Sequence, residues 1–228
     1  MKILAVSDIH NSEPGLEFIL ERLKKYRPDL LLICGDITTF GPKAFGLKVI
    51  EQIDVQAFGV PGNCDPPNLH DIYDKGTSIN LHGKSIEHEG FRFVGWGGSN
   101  KSLNTPFENP ESNILESLEP VLKKATKTDT EPVILLSHCP PHGYLDVVPS
   151  GQHVGCTSIA ELVDKYRPVL TVCGHIHEAK GIVIDTERNL IIVNTGPAKL
   201  HSGAKIELGE PEKVKYEPLE YIKVELIS

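Results

Sequence analysis

The run Lys2-Ile3-Leu4-Ala5-Val6-Ser7-Asp8-Ile9-His10 decides the fold. It is an apolar stretch that ends in two residues able to bind a metal. The same grammar recurs in LLLICGD, ending at Asp36, VQAFGVPGN at Asn63, VILLSH at His138 and VLTVCGH at His175. Continuous apolar runs read as strands buried on both faces, as in parallel sheets. If such strands share one sheet, their carboxyl ends line one edge, where open α/β sheets place ligand sites. Asp8-Ile9-His10 and His175-Ile176-His177 each add a second side chain two residues on, so a centre of several metals is expected.

Working outward, Ser12-Glu13-Pro14 opens a helix whose apolar positions Leu16, Ile19, Leu20 and Leu23 share one face and which stops before Pro28. Residues 30–34 follow as a strand, completing a βαβ unit with a right-handed crossover. Near the other end, a helix through Ile159, Leu162 and Val163 stops at Tyr166-Arg167-Pro168 and feeds a strand over 169–173. The segments KYRPDLLLICGD and KYRPVLTVCGH read alike, either as one local solution used twice or as chance similarity.

Between these units the pattern predicts a short helix at 69–73, a hairpin of 85–88 with 91–94, a helix over 112–124 and a strand over 133–136. The polar stretch 101–110, with two prolines, reads as a loop over the site. Alternation in 181–185, 190–193, 204–208 and 221–226 reads as an antiparallel set. The mixture of strand directions predicts two sheets face to face with helices outside, in one domain spanning 1–228.

The 228 residues can bury a substantial core, and 39% hydrophobic with 24% charged residues is the composition of a folded globular chain. A cationic leader and a membrane-length apolar run are both missing from the sequence, so a cytoplasmic location is expected. The formal net charge of −8 argues against an extensive nucleic-acid surface. It leaves room for a small phosphoester, because two divalent cations would invert the local field. Cys34, Cys64, Cys139, Cys156 and Cys173 have no CxxC spacing and are expected as reduced thiols. Of these, Cys64 and Cys139 adjoin candidate ligands.

The ordered set DIH, GD, GNCD, SH and GHIH resembles the calcineurin-like metallophosphoesterases, over a stretch from Asp8 to about Gly196. The resemblance implies a four-layer α-β-β-α sandwich of two mixed sheets flanked by helices. It implies that Asp8, His10 and His177 hold one metal, that Asn63, His138 and His175 hold a second, and that Asp36 bridges both. The implied catalytic set is Asp36, Asn63, Cys64 and His138. Two metals roughly 3.5 to 4 Å apart can share a hydroxide and neutralise phosphoryl oxygens during in-line displacement. Mixed nitrogen and oxygen donors suit Mn, Fe, Co, Ni or Zn better than Ca, with Mn the first choice for assay.

The family commonly carries histidine after GN, where this chain has Cys64. A thiol is a weak donor to a leaving oxygen. Cysteine variants occur in phosphodiesterase-like members, which points to a diester substrate, with a phosphomonoesterase or a non-catalytic scaffold of the same fold as alternatives. The protein-phosphatase branch resembles GDxVDRG, but Asp36 is followed by Ile37-Thr38-Thr39-Phe40 and lacks its arginine. Secondary candidates are Asn11, for phosphate or helix entry, His142 and His153 as cleft residues, and Asp65 as a turn anchor or a ligand-orienting group. His70, His82, His88 and His201 lack motif context and are expected at the surface. The oligomeric state is left open, a homo-oligomer included.

Overall fold

In strand β1 (Lys2–Val6), Ile3 and Ala5 turn to one face and Leu4 and Val6 to the other, and both pairs are buried. A strand covered on both sides requires this. The structure is a computed structural model and describes residues 1–127 and 131–228. Helix α1 (Glu13–Tyr26) follows, capped by Ser12, whose Oγ accepts from Gly15 N at 3.0 Å. Strand β2 (Leu30–Ile33), helix α2 (Lys43–Glu51), strand β3 (Ala57–Gly59), a 3-10 turn at Pro67–Asp74 and strand β4 (Ser78–Asn80) come next. A hairpin of β5 (Lys84–His88) and β6 (Phe91–Trp96) precedes the short parallel pair β7 (Ser99–Asn100) and β8 (Glu108–Asn109). Helix α3 (Glu111–Lys127), strand β9 (Val133–Ser137), helix α4 (Thr157–Tyr166) and strand β10 (Leu170–Cys173) lead to β11 (Gly181–Asp185) and β12 (Leu190–Asn194). The chain ends with β13 (Gly203–Leu208), the short helices α5 (Pro211–Tyr216) and α6 (Pro218–Tyr221), and β14 (Ile222–Ile227).

One sheet has the strand order β14-β13-β1-β2-β3-β4 and the other β11-β12-β10-β9-β6-β5. Ile3, Leu32, Phe58, Phe93, Leu136 and Val172 pack between them. Leu16, Ile19 and Val49 of α1 and α2 cover Leu4, Leu31 and Ile33 on the outside of the first sheet. Ile114, Leu118 and Leu162 of α3 and α4 cover Val94, Leu135 and Ile192 on the outside of the second. The result is the expected four-layer α-β-β-α sandwich. Both KYRP segments end their helices alike, with Arg27 and Arg167 left-handed at φ 46° and 50° and their N–H groups bonded to Leu23 O and Val163 O. No helix of the described residues is long and apolar enough to cross a membrane.

Two sequence expectations need correction, and helix α2 is an element the sequence pattern does not predict. The four late strands do not form one antiparallel set: β11 pairs with β12 in the second sheet and β13 with β14 in the first. Strand β12 runs parallel to β10, and its residues LIIVN are buried throughout instead of alternating. Helix α2 has no capping side chain and contains Gly46, which disguises it; a Cβ there would overlap Ile72 Cδ1 of the 3-10 turn. The stretch 101–110 is not all loop, because Glu108–Asn109 forms β8.

Glu111, in the first turn of α3, caps the neighbouring helix instead of its own. Its carboxylate accepts from Thr157 N at 3.0 Å and Ser158 N at 2.8 Å, the open N–H groups of α4, and from Cys156 Sγ at 3.0 Å. These charge-assisted bonds join the two outer helices. Glu111→Ala is expected to cost about 2 kcal/mol, read as a lower urea midpoint at unchanged slope, and Glu111→Gln about half as much. An unchanged midpoint in both variants would refute the capping role.

Candidate metal centre

Parallel β1, β2 and β3 deliver Asp8, Asp36 and Asn63 from the first sheet, while parallel β9 and β10 deliver His138 and His175 from the second. The ligand candidates therefore do not line one sheet edge. They meet across the junction where the carboxyl ends of both sheets come together, and His10 and His177 join from the turns after β1 and β10.

Candidate ligand atoms come within 4.8 Å of one another in three overlapping clusters, Asp8 with His10 and His177, His10 with Asp36 and Cys64, and Asp8 with Asp36 and His138. The expected division makes Asp8, His10 and His177 one residue group and Asn63, His138 and His175 the other, with Asp36 between them. His177 Nε2 lies 3.1 Å and His10 Nε2 3.4 Å from Asp8 Oδ1. Asp36 Oδ2 stands 3.6 Å from His10 Nε2 and 3.6 Å from His138 Nε2. On the far side, Asn63 Oδ1 is 2.8 Å from His138 Nε2, and the His138 and His175 rings are 4.9 Å apart.

Two observations show that this donor set fits cations. Asp8 Oδ1 is buried with no hydrogen-bond partner, although two imidazoles surround it. In addition, His138 Nδ1 sits 2.7 Å from Cys34 O, which can only accept, so Nδ1 carries the proton. Nε2 of the neutral ring then turns a lone pair toward the lone pairs of Asn63 Oδ1. A second proton or a cation between them removes that clash.

Much of the local backbone is bent to make this possible. Asp8, His10, Asp36 and His175 are left-handed, at φ 57°, 51°, 53° and 67°. Each such residue costs about 1–2 kcal/mol, and strain of this kind collects at functional sites. It is held by Asp8 N→Gly35 O, His10 N→Asp36 O and Asn11 N→Ile37 O, which zip the first two turns together. Across the junction, His175 N donates to Asp8 Oδ2 at 3.0 Å. Glycine is required where carboxylates pass backbone: a Cβ on Gly62 would overlap Asp36 Oδ1, and one on Gly174 would overlap Ser7 Oγ and Asp8 Oδ2.

Asp65 anchors its own turn and reaches the turn after β2. Fully buried, it accepts from Gly62 N at 3.0 Å in its own turn, and from Ile37 N, Thr38 N, Thr38 Oγ1 and Tyr73 OH at 2.8 to 3.2 Å. The turns bearing Asp36 and Asn63 are thus fastened to one carboxylate. The cost is electrostatic: burial, then Asp65 and Asp8, hold the Asp36 carboxyl well above the usual range. Burial also pushes Asp8 up, but the nearby imidazoles of His10, His177 and His138 together outweigh it and bring Asp8 well below that range. Burial, then His138, brings His175 down to about 3, which keeps it in the neutral, metal-binding form. Burial and the Asp36 carboxylate push the Cys64 thiol up.

The remaining candidates sort differently. Helix entry belongs to Ser12, while Asn11 Nδ2 donates to Gly41 O and its Oδ1 is buried without a partner. His142 and His153 form a group of their own, 5.6 Å between rings, with His153 Nδ1 2.6 Å from buried Asp146. His70, His82 and His88 are half-buried, against expectation. His82 Nδ1 accepts from Gly97 N, and burial, then His70, brings it down to about 4. His201 is exposed, as expected. All five cysteines are free, and Cys34 and Cys173 are fully buried. Sequence reading misses Thr39, 2.9 Å from His10 Nδ1, and Thr105, which accepts from Asn63 Nδ2 at 2.9 Å. Thr39 follows the GD motif by three residues, whereas Thr105 has no motif around it and only the expected cover at 101–110 points to it.

Asp36→Asn removes a buried charge while an amide oxygen can still accept from Cys64 N, now 2.8 Å from Asp36 Oδ1. The folded-state value of Asp36 is raised, so its favourable contribution is complete below the unfolded carboxyl value and is lost as pH rises through the folded value. Above that window the metal-free variant should melt higher than the metal-free parent, with a flatter pH dependence, and should lose the parent's stabilisation by Mn²⁺. A lower melting point, or retained Mn²⁺ stabilisation, would contradict this account.

Residues 1–179 match the family model described as calcineurin-like phosphoesterase. The chain is 35% identical over 208 residues to "Uncharacterized protein MJ1162" of Methanocaldococcus jannaschii, covering 86% of this chain and 88% of that one. It is 29% identical over 225 residues to "Probable glycerophosphodiester phosphodiesterase GpdQ" of Arcobacter nitrofigilis, covering 92% and 76%. Among solved structures, TT1561 of Thermus thermophilus superposes with a TM-score of 0.69 at 17% identity over 99% of this chain and 97% of that one, a likeness of fold. The matched stretch runs from before Asp8 to beyond His177 and contains both residue groups, and the chain belongs to the calcineurin-like phosphoesterases, a family of metal-dependent hydrolases.

Proposed function

We propose that this protein is a phosphodiesterase that works through two divalent cations, as one functional unit over residues 1–228, on a small or nucleotide-like phosphoester. The observation that carries the reading is the position of Asp36: its Oδ2 is equidistant, at 3.6 Å, from an imidazole of each residue group. Asp8, His10 and His177 would hold one cation, Asn63, His138 and His175 the other, and Asp36 would serve both. Bound there, the cations would polarise the phosphoryl group and lower the pKa of water toward neutrality.

The chain's own residues set how that chemistry is used. His138 is oriented by the Cys34 carbonyl, and neutral His175 adds a donor without adding charge. Cys64 stays protonated beside Asp36, but its thiol is a weak donor and gives a leaving alkoxide little help. Substrates that depend least on leaving-group protonation are favoured. Diester hydrolysis at a cation pair meets this condition, and the name of the Arcobacter relative points the same way. Mn is the first metal to assay, with Fe, Zn, Co and Ni as further options for this donor set.

The test is hydrolysis of an aryl phosphodiester and the matching monoester with Mn²⁺, with Asp36→Asn as control. Preferential diester cleavage that disappears in the variant is expected; monoester preference would overturn the reading. Cys64→His should raise monoester turnover roughly ten-fold or more, because an imidazole can act as the missing acid.

A further inference from the structure

The stretch between β7 and β8 is organised around one carboxylate. Glu108 accepts from four consecutive backbone N–H groups, Ser102, Leu103, Asn104 and Thr105, at 2.9 to 3.1 Å, and from the Thr105 hydroxyl at 2.9 Å. Donors converging in this way form a nest for an anion, and here the chain supplies the anion itself. The knot then attaches to the candidate metal centre at one residue. Phe107 N donates to Asn63 O at 3.1 Å, and Asn63 Nδ2 donates to Thr105 Oγ1 at 2.9 Å.

Proton direction gives this chain of contacts its meaning. An ionised carboxylate only accepts, so the Thr105 hydroxyl spends its single proton on Glu108. What Thr105 offers Asn63 is therefore a lone pair, and only the NH₂ end of the amide can meet it. With Nδ2 held there, Oδ1 faces His138 Nε2 at 2.8 Å. A flipped amide would direct N–H groups at the place where a cation has to sit. Cys64 Sγ, 3.6 Å from Nδ2, is a second acceptor on the same side.

Resting on the two-cation reading above, the geometry points to Thr105 as the positioning residue of the Asn63 ligand, with Glu108 setting the polarity of its hydroxyl. Among the described residues, the side-chain hydrogen bonds of Thr105 and Glu108 go to their own loop and to Asn63, and none goes to Asp8, His10 or His177. The role is therefore selective: it concerns the cation held by Asn63, His138 and His175, while the one held by Asp8, His10 and His177 is independent of it.

The test is Mn²⁺ binding to the full chain by titration calorimetry and by electron paramagnetic resonance, which separates a lone ion from a coupled pair. Wild type and Thr105→Ser should bind two ions. Thr105→Val should lose about 10- to 100-fold in one binding step only, the usual cost of removing a ligand's hydrogen-bond partner, and show the lone-ion spectrum at moderate Mn²⁺. Glu108→Gln, whose NH₂ can donate to Thr105 and release the hydroxyl proton toward Asn63, should weaken the same step. Two ions bound with parental affinity in both Thr105→Val and Glu108→Gln would overturn the inference and leave the function standing. Loss of both steps together in Thr105→Val would assign Thr105 to the loop alone and also overturn it. A wild type that binds no Mn²⁺ would sink the two-cation reading, and this inference with it.

Discussion

Three carboxylates, Asp8, Asp36 and Asp65, are withdrawn almost completely from water at the junction of the two sheets. Few arrangements in a folded protein are more costly, since each charge gives up its hydration and repels the others. Everything around the junction answers to that burden. Asp65 accepts from five donors, Asp8 leans on two imidazoles and a backbone N–H, and Asp36 accepts from Cys64 N while His10 and His138 stand 3.6 Å from its other oxygen. The left-handed residues and the close-packed glycines follow from the same demand, because side chains of two sheets can converge on one point only if the turns bearing them double back sharply.

Those turns were legible because they leave a compositional trace. A buried parallel strand must be apolar throughout, so where such a run stops at Asp, Asn or His, the polar residue stands out. The order of Asp8, Asp36, Asn63, His138 and His175 along the chain was therefore readable, and so were their partners at a spacing of two. The partition of strands between sheets was not. Leu190–Asn194 is continuously apolar and buried and lies parallel to β10, whereas Gly203–Leu208 alternates and lies antiparallel to β1, but neither pattern names the sheet that the strand joins.

The supporting residues were harder still. Asp65 could be suspected from its place beside Asn63, but its reach to Thr38 and Tyr73 depends on how three separate turns fold together. Thr105 and Glu108 sit in a polar stretch like many surface loops. What distinguishes them is the direction in which one proton points, and that exists only once the loop has closed on Asn63. The half-buried His70 and His82 were misjudged for a related reason: they pack against Phe107 from this same loop, at 4.4 and 5.1 Å between rings, and no local pattern records that cover.

Both residue groups draw on both sheets. In the proposed ligand sets, Asp8 and His10 would need His177 from across the junction, and Asn63 would need His138 and His175. A cation in either position would thus be a rivet through the sandwich, holding together halves that otherwise adhere mainly by their apolar faces. The survival of the chain against proteases, and its turnover in a cell, would then follow the supply of free metal ions as well as the quality of its core.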